Sequence, residues 1–202
     1  MPLAIDLSNY SGPLTPEMLH DFQASQVTKV IVQAVDPPAP YPTTQTVQQI
    51  LACRDAGMAV EAYIYLWNAW PEGVDRALAL LPSGVVTRVW LDVEDVAAPL
   101  TDAGLAEAIA KVEAAGYSVG IYTARWYWPR ELDLSRRPLW VAQYDGAANL
   151  DFEKFGGWDR CEMKQYTLDK ARAFGLNHFG ESAAAGLADR LRALADEVEA
   201  LG

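Results

Sequence analysis

Asp92-Val93-Glu94 places two carboxylates two residues apart at the end of an apolar run that begins near Val85. In a strand, alternation sets both acids on one side of the backbone, roughly 6–7 Å apart along it. Each then raises the cost of ionising the other, so one stays an acid near neutral pH while its neighbour is charged. That pairing is what protonation of a glycosidic oxygen requires. Asp6 ends an earlier apolar segment and is a third candidate, provided the fold brings the two strand ends together. A DxE pair alone is a weak signal, because acids are common at strand ends and ahead of helices. Aromatic residues give it weight: Tyr63, Tyr65, Trp67 and Trp70 follow one segment, Tyr122, Trp126, Tyr127 and Trp128 another, and Trp140 and Tyr144 a third. Sugar faces stack on such rings. Parity sets Tyr63 and Tyr65 on one strand face and Ile64 on the other. At least two of Trp67, Trp70, Trp126 and Trp128 are expected to touch ligand, and Tyr144 joins the strand-end set.

Other chemistries find less support. His20 falls in an early helical segment and His178 near the end, with no HExxH or paired spacing, so no metal ligand set is expected. Carboxylates alone can hold magnesium, but a three-acid mouth among aromatic rings suits saccharides at least as well. Ser8 lacks a GxSxG elbow and a base, and neither Cys53 nor Cys161 has a histidine partner. The two cysteines are expected to be free thiols, and no cofactor is expected.

The elements that must position these residues alternate. Period-2 segments cover Leu3–Asp6, Lys29–Ala34, Ala59–Leu66, Val85–Glu94 and Ser118–Thr123, with helical segments at Thr15–Gln26, Thr44–Ala56, Gly73–Leu81 and Thr101–Ala115. Gly57 and Gly116 suit helix ends before the next strand. Leu139–Tyr144 and Glu162–Thr167 add two strands without a clear helix between, and Arg172–Leu176 supplies a short eighth that closes the sheet beside the first. No GxGxxG turn or Walker A loop follows the first strand, which argues against an open dinucleotide-binding sheet. The expected fold is α/β, an irregular TIM-like βα barrel whose ligand groups gather at the strands' carboxyl ends. Spread over eight units, 202 residues leave about 25 each, fewer than a full set of crossover helices needs. The barrel should therefore have fewer than eight helices.

Domain boundaries are expected at 1–180 for the barrel and 181–202 for a C-terminal amphipathic helix. Leu187, Leu191, Leu194, Val198 and Leu201 form its heptad seam. Two roles stay open for it: packing on the barrel, or linking to a further module or a second copy. The chain carries 16 basic and 27 acidic residues, a formal charge of −11, which disfavours nucleic acid as a partner. No signal peptide and no membrane span is read from the sequence.

The ordered set of segments resembles glycoside hydrolase family 25, the Chalaropsis-type lysozymes that act on peptidoglycan as N-acetylmuramidases. IDLSNYSG at 5–12, KVIVQA at 29–34, EAYIYLW at 61–67, VWLDVED at 89–95, GIYTARWYW at 120–128, LWVAQYDG at 139–146 and MKQYT at 163–167 match in order, over about residues 3–179. The resemblance implies a groove for bacterial cell-wall polysaccharide. It implies Glu94 as general acid/base, Asp92 as support for the substrate's N-acetyl group, and Asp6 as a charge-stabilising residue opposite. It further implies substrate-assisted retention, with Tyr65, Tyr122 and Gln165 as polar groove contacts. AFGLNHFG sets Gly175 where the family usually has an acid, and the proline-rich DPPAPYPTTQ is also unlike the family. Two functions are compatible with this pattern: an active muramidase, or a noncatalytic wall-binding or structural barrel of a phage or surface assembly. Without a leader, a phage lysin, a virion-associated domain or export by another route would bring it to the wall.

Overall fold

The computed structural model describes residues 3–35, 44–67, 70–94, 100–128, 132–169 and 174–180. Eight strands close into one barrel in chain order: β1 (Leu3–Leu7), β2 (Val27–Val35), β3 (Ala59–Tyr65), β4 (Val86–Asp92), β5 (Ser118–Thr123), β6 (Leu139–Ala142), β7 (Met163–Asp169) and β8 (Phe174–Phe179). The pairs β1–β2 through β6–β7 are parallel, as the strand–helix rhythm predicts. The eighth strand does lie beside the first, but it runs antiparallel to both β1 and β7. The short β7–β8 connection explains this, since a parallel return needs a crossover of a dozen or more residues. Segment 181–202, with its heptad seam, lies outside the described residues.

Four α-helices, α1 (Pro16–Ala24), α2 (Thr44–Asp55), α3 (Trp70–Leu80) and α4 (Asp102–Ala114), occur among the described residues. They follow β1 to β4. Thr15 and Thr101 cap α1 and α4 by accepting from Met18 and Gly104 amides. The inward face of α4 is Leu105, Ala108, Ile109 and Val112, the 3-4-7 spacing of a single stripe. Gly57 and Gly116 follow α2 and α4 with φ of 79° and 87°, conformations in which a side chain is strained. Beyond β5 the wall is covered differently. The turn Arg125–Tyr127 follows it, and residues 143–162 join β6 to β7 without a helix, around the packed rings of Trp128, Phe152, Phe155 and Trp158.

Strand alternation divides the apolar residues into two cores. Outward-facing Ile5, Leu7, Val30, Val32, Ile64, Val89, Leu91 and Ile121 meet the helices. Inside the barrel, Ala4, Ile31, Tyr63, Trp90, Tyr122, Trp140 and Met163 form the second. Trp90 and Trp140 are packed edge to face with centroids 5.8 Å apart, and Gly120 leaves the space that the Trp90 ring occupies. Below them, toward the amino ends, Lys29 pairs with Glu61 at 2.9 Å, and Glu61 accepts the Trp90 indole N–H. The two indoles thus form a layer between that ion pair and the residues at the strands' carboxyl ends. Cys53 and Cys161 are buried free thiols, and no helix among the described residues is long and apolar enough to cross a membrane.

Candidate active site

Asp6 lies near the end of β1, in register with Ile31 on β2 and Gly175 on β8. Its Oδ2 accepts from Gln165 Nε2 at 2.7 Å and Asn177 Nδ2 at 2.8 Å. Both amides are oriented from behind. The Trp140 indole N–H can only donate, so Asn177 turns its Oδ1 to it, at 2.7 Å, and its NH2 to Asp6. Gln165 accepts at Oε1 from the Tyr122 and Tyr144 hydroxyls, each at 2.7 Å, and so donates to Asp6. This chain runs across β5, β6, β7, β8 and β1, and fixes Asp6 as an acceptor. Gly175 makes it possible: a Cβ built there would overlap Asp6 Oδ2 and Gln165 Nε2.

Asp92 and Glu94 approach from β4. The backbone between them is pinned: Leu66 donates to the Asp92 carbonyl, Val93 donates to the Tyr122 carbonyl, and the Thr123 hydroxyl donates to the Val93 carbonyl, all within 2.9 Å. Asp92 is 3% exposed, and its Oδ1 has no hydrogen-bond partner among the described residues. Burial, then the charges of Glu94 and Asp6, push Asp92 well above the usual carboxylate range. Burial and the charge of Asp6 raise Glu94. Burial also raises Asp6, against the opposing hydrogen bonds from Asn177 and Gln165. The three acids therefore act on one another, and the Asp92–Glu94 pair holds a proton to higher pH than isolated carboxylates do. Burial and the nearby acids likewise push the Tyr122 phenol well up, so it remains a neutral donor.

The other expected contacts fall in three places. Tyr122 and Gln165 are buried in the chain that orients Asp6, and Tyr144, 49% exposed, tops it at the rim. Tyr65 ends β3 in register with Asp92. Of the four tryptophans, Trp126 is 61% exposed, whereas Trp67 and Trp70 are buried in the outer core and Trp128 is buried against Trp158 of the β6–β7 segment. Ring type alone does not distinguish them. Position does, because Trp126 stands on a turn past the end of β5 and the others pack outside the barrel wall. Asn177 was not among the expected site residues, and Trp140 was expected only as one of the aromatic rings near the mouth. Their signal is period 2: Asn177 shares a face with Gly175, and Trp140 shares the inward parity of Ala142 and Tyr144. Tyr10, 83% exposed, also stands at this end, on a turn tied down by the Gln33 side chain, which accepts from the Asn9 amide.

The family model for lysozyme-like protein 1 matches residues 2–166. A probable family 25 lysozyme, lysozyme 4 of Dictyostelium discoideum, is 31% identical over 139 residues, 60% of this chain and 64% of that one. Each curated relative matched is covered over less than two thirds of its own length. Among solved structures, a muramidase from Trichobolus zukalii superposes with a TM-score of 0.74 at 18% identity, over 96% of this chain and 98% of that one. The catalytic domain of endolysin ply40, from bacteriophage P40 of Listeria monocytogenes, gives 0.66 at 20% identity, over 90% and 94%. At such identities the shared property is the barrel itself. With most of its length matched by the family model, the chain belongs to the lysozyme-like protein 1 family, of the glycoside hydrolase family 25 lysozyme type.

Proposed function

We propose that this chain is a muramidase that cleaves the β-1,4 bond between N-acetylmuramic acid and N-acetylglucosamine in bacterial cell-wall peptidoglycan. The observation that carries the reading is the division of labour among three acids: Asp6 is locked as an acceptor by two amide donors, while Asp92 and Glu94 share an elevated proton affinity. Glu94, at the open side of the pair, protonates the glycosidic oxygen. The carbonyl oxygen of the muramic acid N-acetyl group attacks C1 as the C1–O bond breaks, giving an oxazolinium ion and a free hydroxyl on the leaving sugar. Asp92 presents its unpartnered Oδ1 to the N-acetyl N–H, which aligns that carbonyl and supports the charge the ring acquires. Glu94, now a carboxylate, takes a proton from water as that water adds to C1 and the oxazolinium C1–O bond breaks to restore the N-acetyl group, so configuration is retained and Glu94 is regenerated. Asp6 stabilises the cationic centre from the opposite wall. Tyr144 and Trp126 offer exposed ring faces to the glycan, and the site of action is the bacterial wall.

New reducing ends released from purified cell walls measure the activity. Glu94→Gln is expected to lower the rate by at least about a hundredfold, and equal rates in both proteins would remove Glu94 from the mechanism. A second reading has one observation in its favour: Gly175 places no carboxylate on β8, which leaves the mouth three acids. In that reading the barrel binds wall fragments without cutting them. Calorimetry against purified muropeptides, with product analysis of the same samples, separates the two.

A further inference from the structure

Outside the barrel wall, Lys164 is wholly buried and takes no part in the chemistry above. Its ammonium donates to Asp145 Oδ2 at 2.7 Å, Asn149 Oδ1 at 3.1 Å and the Asp151 carbonyl at 2.8 Å, which uses all three of its N–H groups. Every one of these acceptors lies in the helix-free segment between β6 and β7. On β7 the neighbour of Lys164 is Gln165, which points the opposite way, into the barrel. After β6 the neighbour of Asp145 is Tyr144, whose hydroxyl donates to Gln165 Oε1 at 2.7 Å. Two adjacent residues of β7 therefore grip two adjacent residues of the β6–β7 segment, one pair on each side of the wall. The backbone continues the same pairing, with the Gln143 amide on the Gln165 carbonyl and the Gly146 amide on the Tyr166 carbonyl, both at 3.0 Å.

We propose that Lys164 is a positioning residue for the mouth: by holding Asp145 outside the barrel it keeps Tyr144 over Gln165 inside it, and through Gln165 it steadies Asp6. No regular element fixes the 143–162 segment, so its start takes its geometry from point contacts. Burying an ammonium costs free energy that an apolar residue of the same size avoids, and three acceptors converging on it specify one loop conformation in return. Asp145 is kept charged for this role. Burial works to raise its carboxyl, but the Lys164 hydrogen bond, the Ala147 amide and the Gln143 side chain hold it at about 2.

The test separates position from mere stability, and the activity arm alone rests on the muramidase reading. Lys164→Met keeps the chain length and removes the donor. Tyr144 ring signals in NMR, assigned by their disappearance in Tyr144→Phe, are expected to move to the shifts of solvent-exposed tyrosines in folded Lys164→Met, and the Gln165 side-chain amide signals to move with them. On cell walls, Lys164→Met is expected to lose about tenfold in kcat/KM but less than about threefold when introduced into Tyr144→Phe. If Lys164→Met does not fold, Asp145→Ala replaces it, since that variant removes the acceptor and leaves Lys164 its other two. Unmoved Tyr144 and Gln165 signals in either folded variant overturn the proposal, as does an equal activity loss with and without the Tyr144 hydroxyl. Absence of wild-type activity overturns the muramidase reading instead and leaves the NMR arm to decide this one.

Discussion

Asp92 and Glu94 hold their protons more tightly in the folded chain than their ordinary values of 3.8 and 4.5, because burial and neighbouring charge both disfavour ionisation. The sign of the consequence follows from linkage. Well below pH 3.8, folded and unfolded chains are both protonated and the acids cost nothing. As pH rises, the unfolded chain releases protons that the folded chain retains, so stability falls until the folded pKa values are passed. At neutral pH the pair is therefore a stability cost, one that the proposed acid–base role accounts for. Asp92→Asn, which never ionises, is expected to melt above the wild type at pH 7, with the gap closing toward pH 4. A tenfold rise in proton affinity is about 1.4 kcal/mol, or roughly 3–6 °C in melting temperature for a chain of this size. Melting curves between pH 4 and 8 check this, and a gap that widens on acidification would refute the assigned direction.

The strand that decides the site is β8, whose direction alternation could not reveal, since inward and outward residues repeat with period 2 whichever way a strand runs. Four βα units and the fifth strand were legible because β1 to β5 carry apolar outward residues with helices between them. The start of α3 at Trp70 was not, because Pro71 reads as a break although the first turn of a helix accepts it. The DxE pair was legible from spacing, but the hold on Asp6 was not, because it joins residues 159 and 171 positions apart through an antiparallel pairing. Gly175 then changes meaning. As a letter it is a missing acid; in the barrel it is the space in which the Asp6 carboxylate sits. Gly175→Ala is expected to destabilise the fold by about 1–3 kcal/mol, the usual cost of inserting a methyl into filled space, and to lower activity by displacing Asp6. Thermal melts of Gly175→Ala with and without Asp6→Ala form the check. The penalty should shrink when Asp6 is truncated, and an equal penalty in both backgrounds would mean that Gln165 or the strand pairing, rather than Asp6, resists the methyl.

For the whole molecule, the acidic balance works against the proposed substrate. A formal charge of −11 repels an anionic wall, and the three acids at the mouth add to the field where the glycan must enter. Groove contacts must overcome that repulsion, which acts over the Debye length, about 30 Å at 0.01 M salt but about 8 Å at 0.15 M. Hydrogen bonds and ring stacking within the groove are screened far less. The rate of cleavage of intact walls is therefore expected to rise by a few fold between these two ionic strengths, whereas the rate on short uncharged N-acetylglucosamine oligomers, if they are cut, should change little. Initial rates on the two substrates across a salt series measure the difference. A wall-cleavage rate that falls steadily with salt would instead indicate attraction to the wall, and would point to a basic surface outside the described residues as the element that brings the barrel to its substrate.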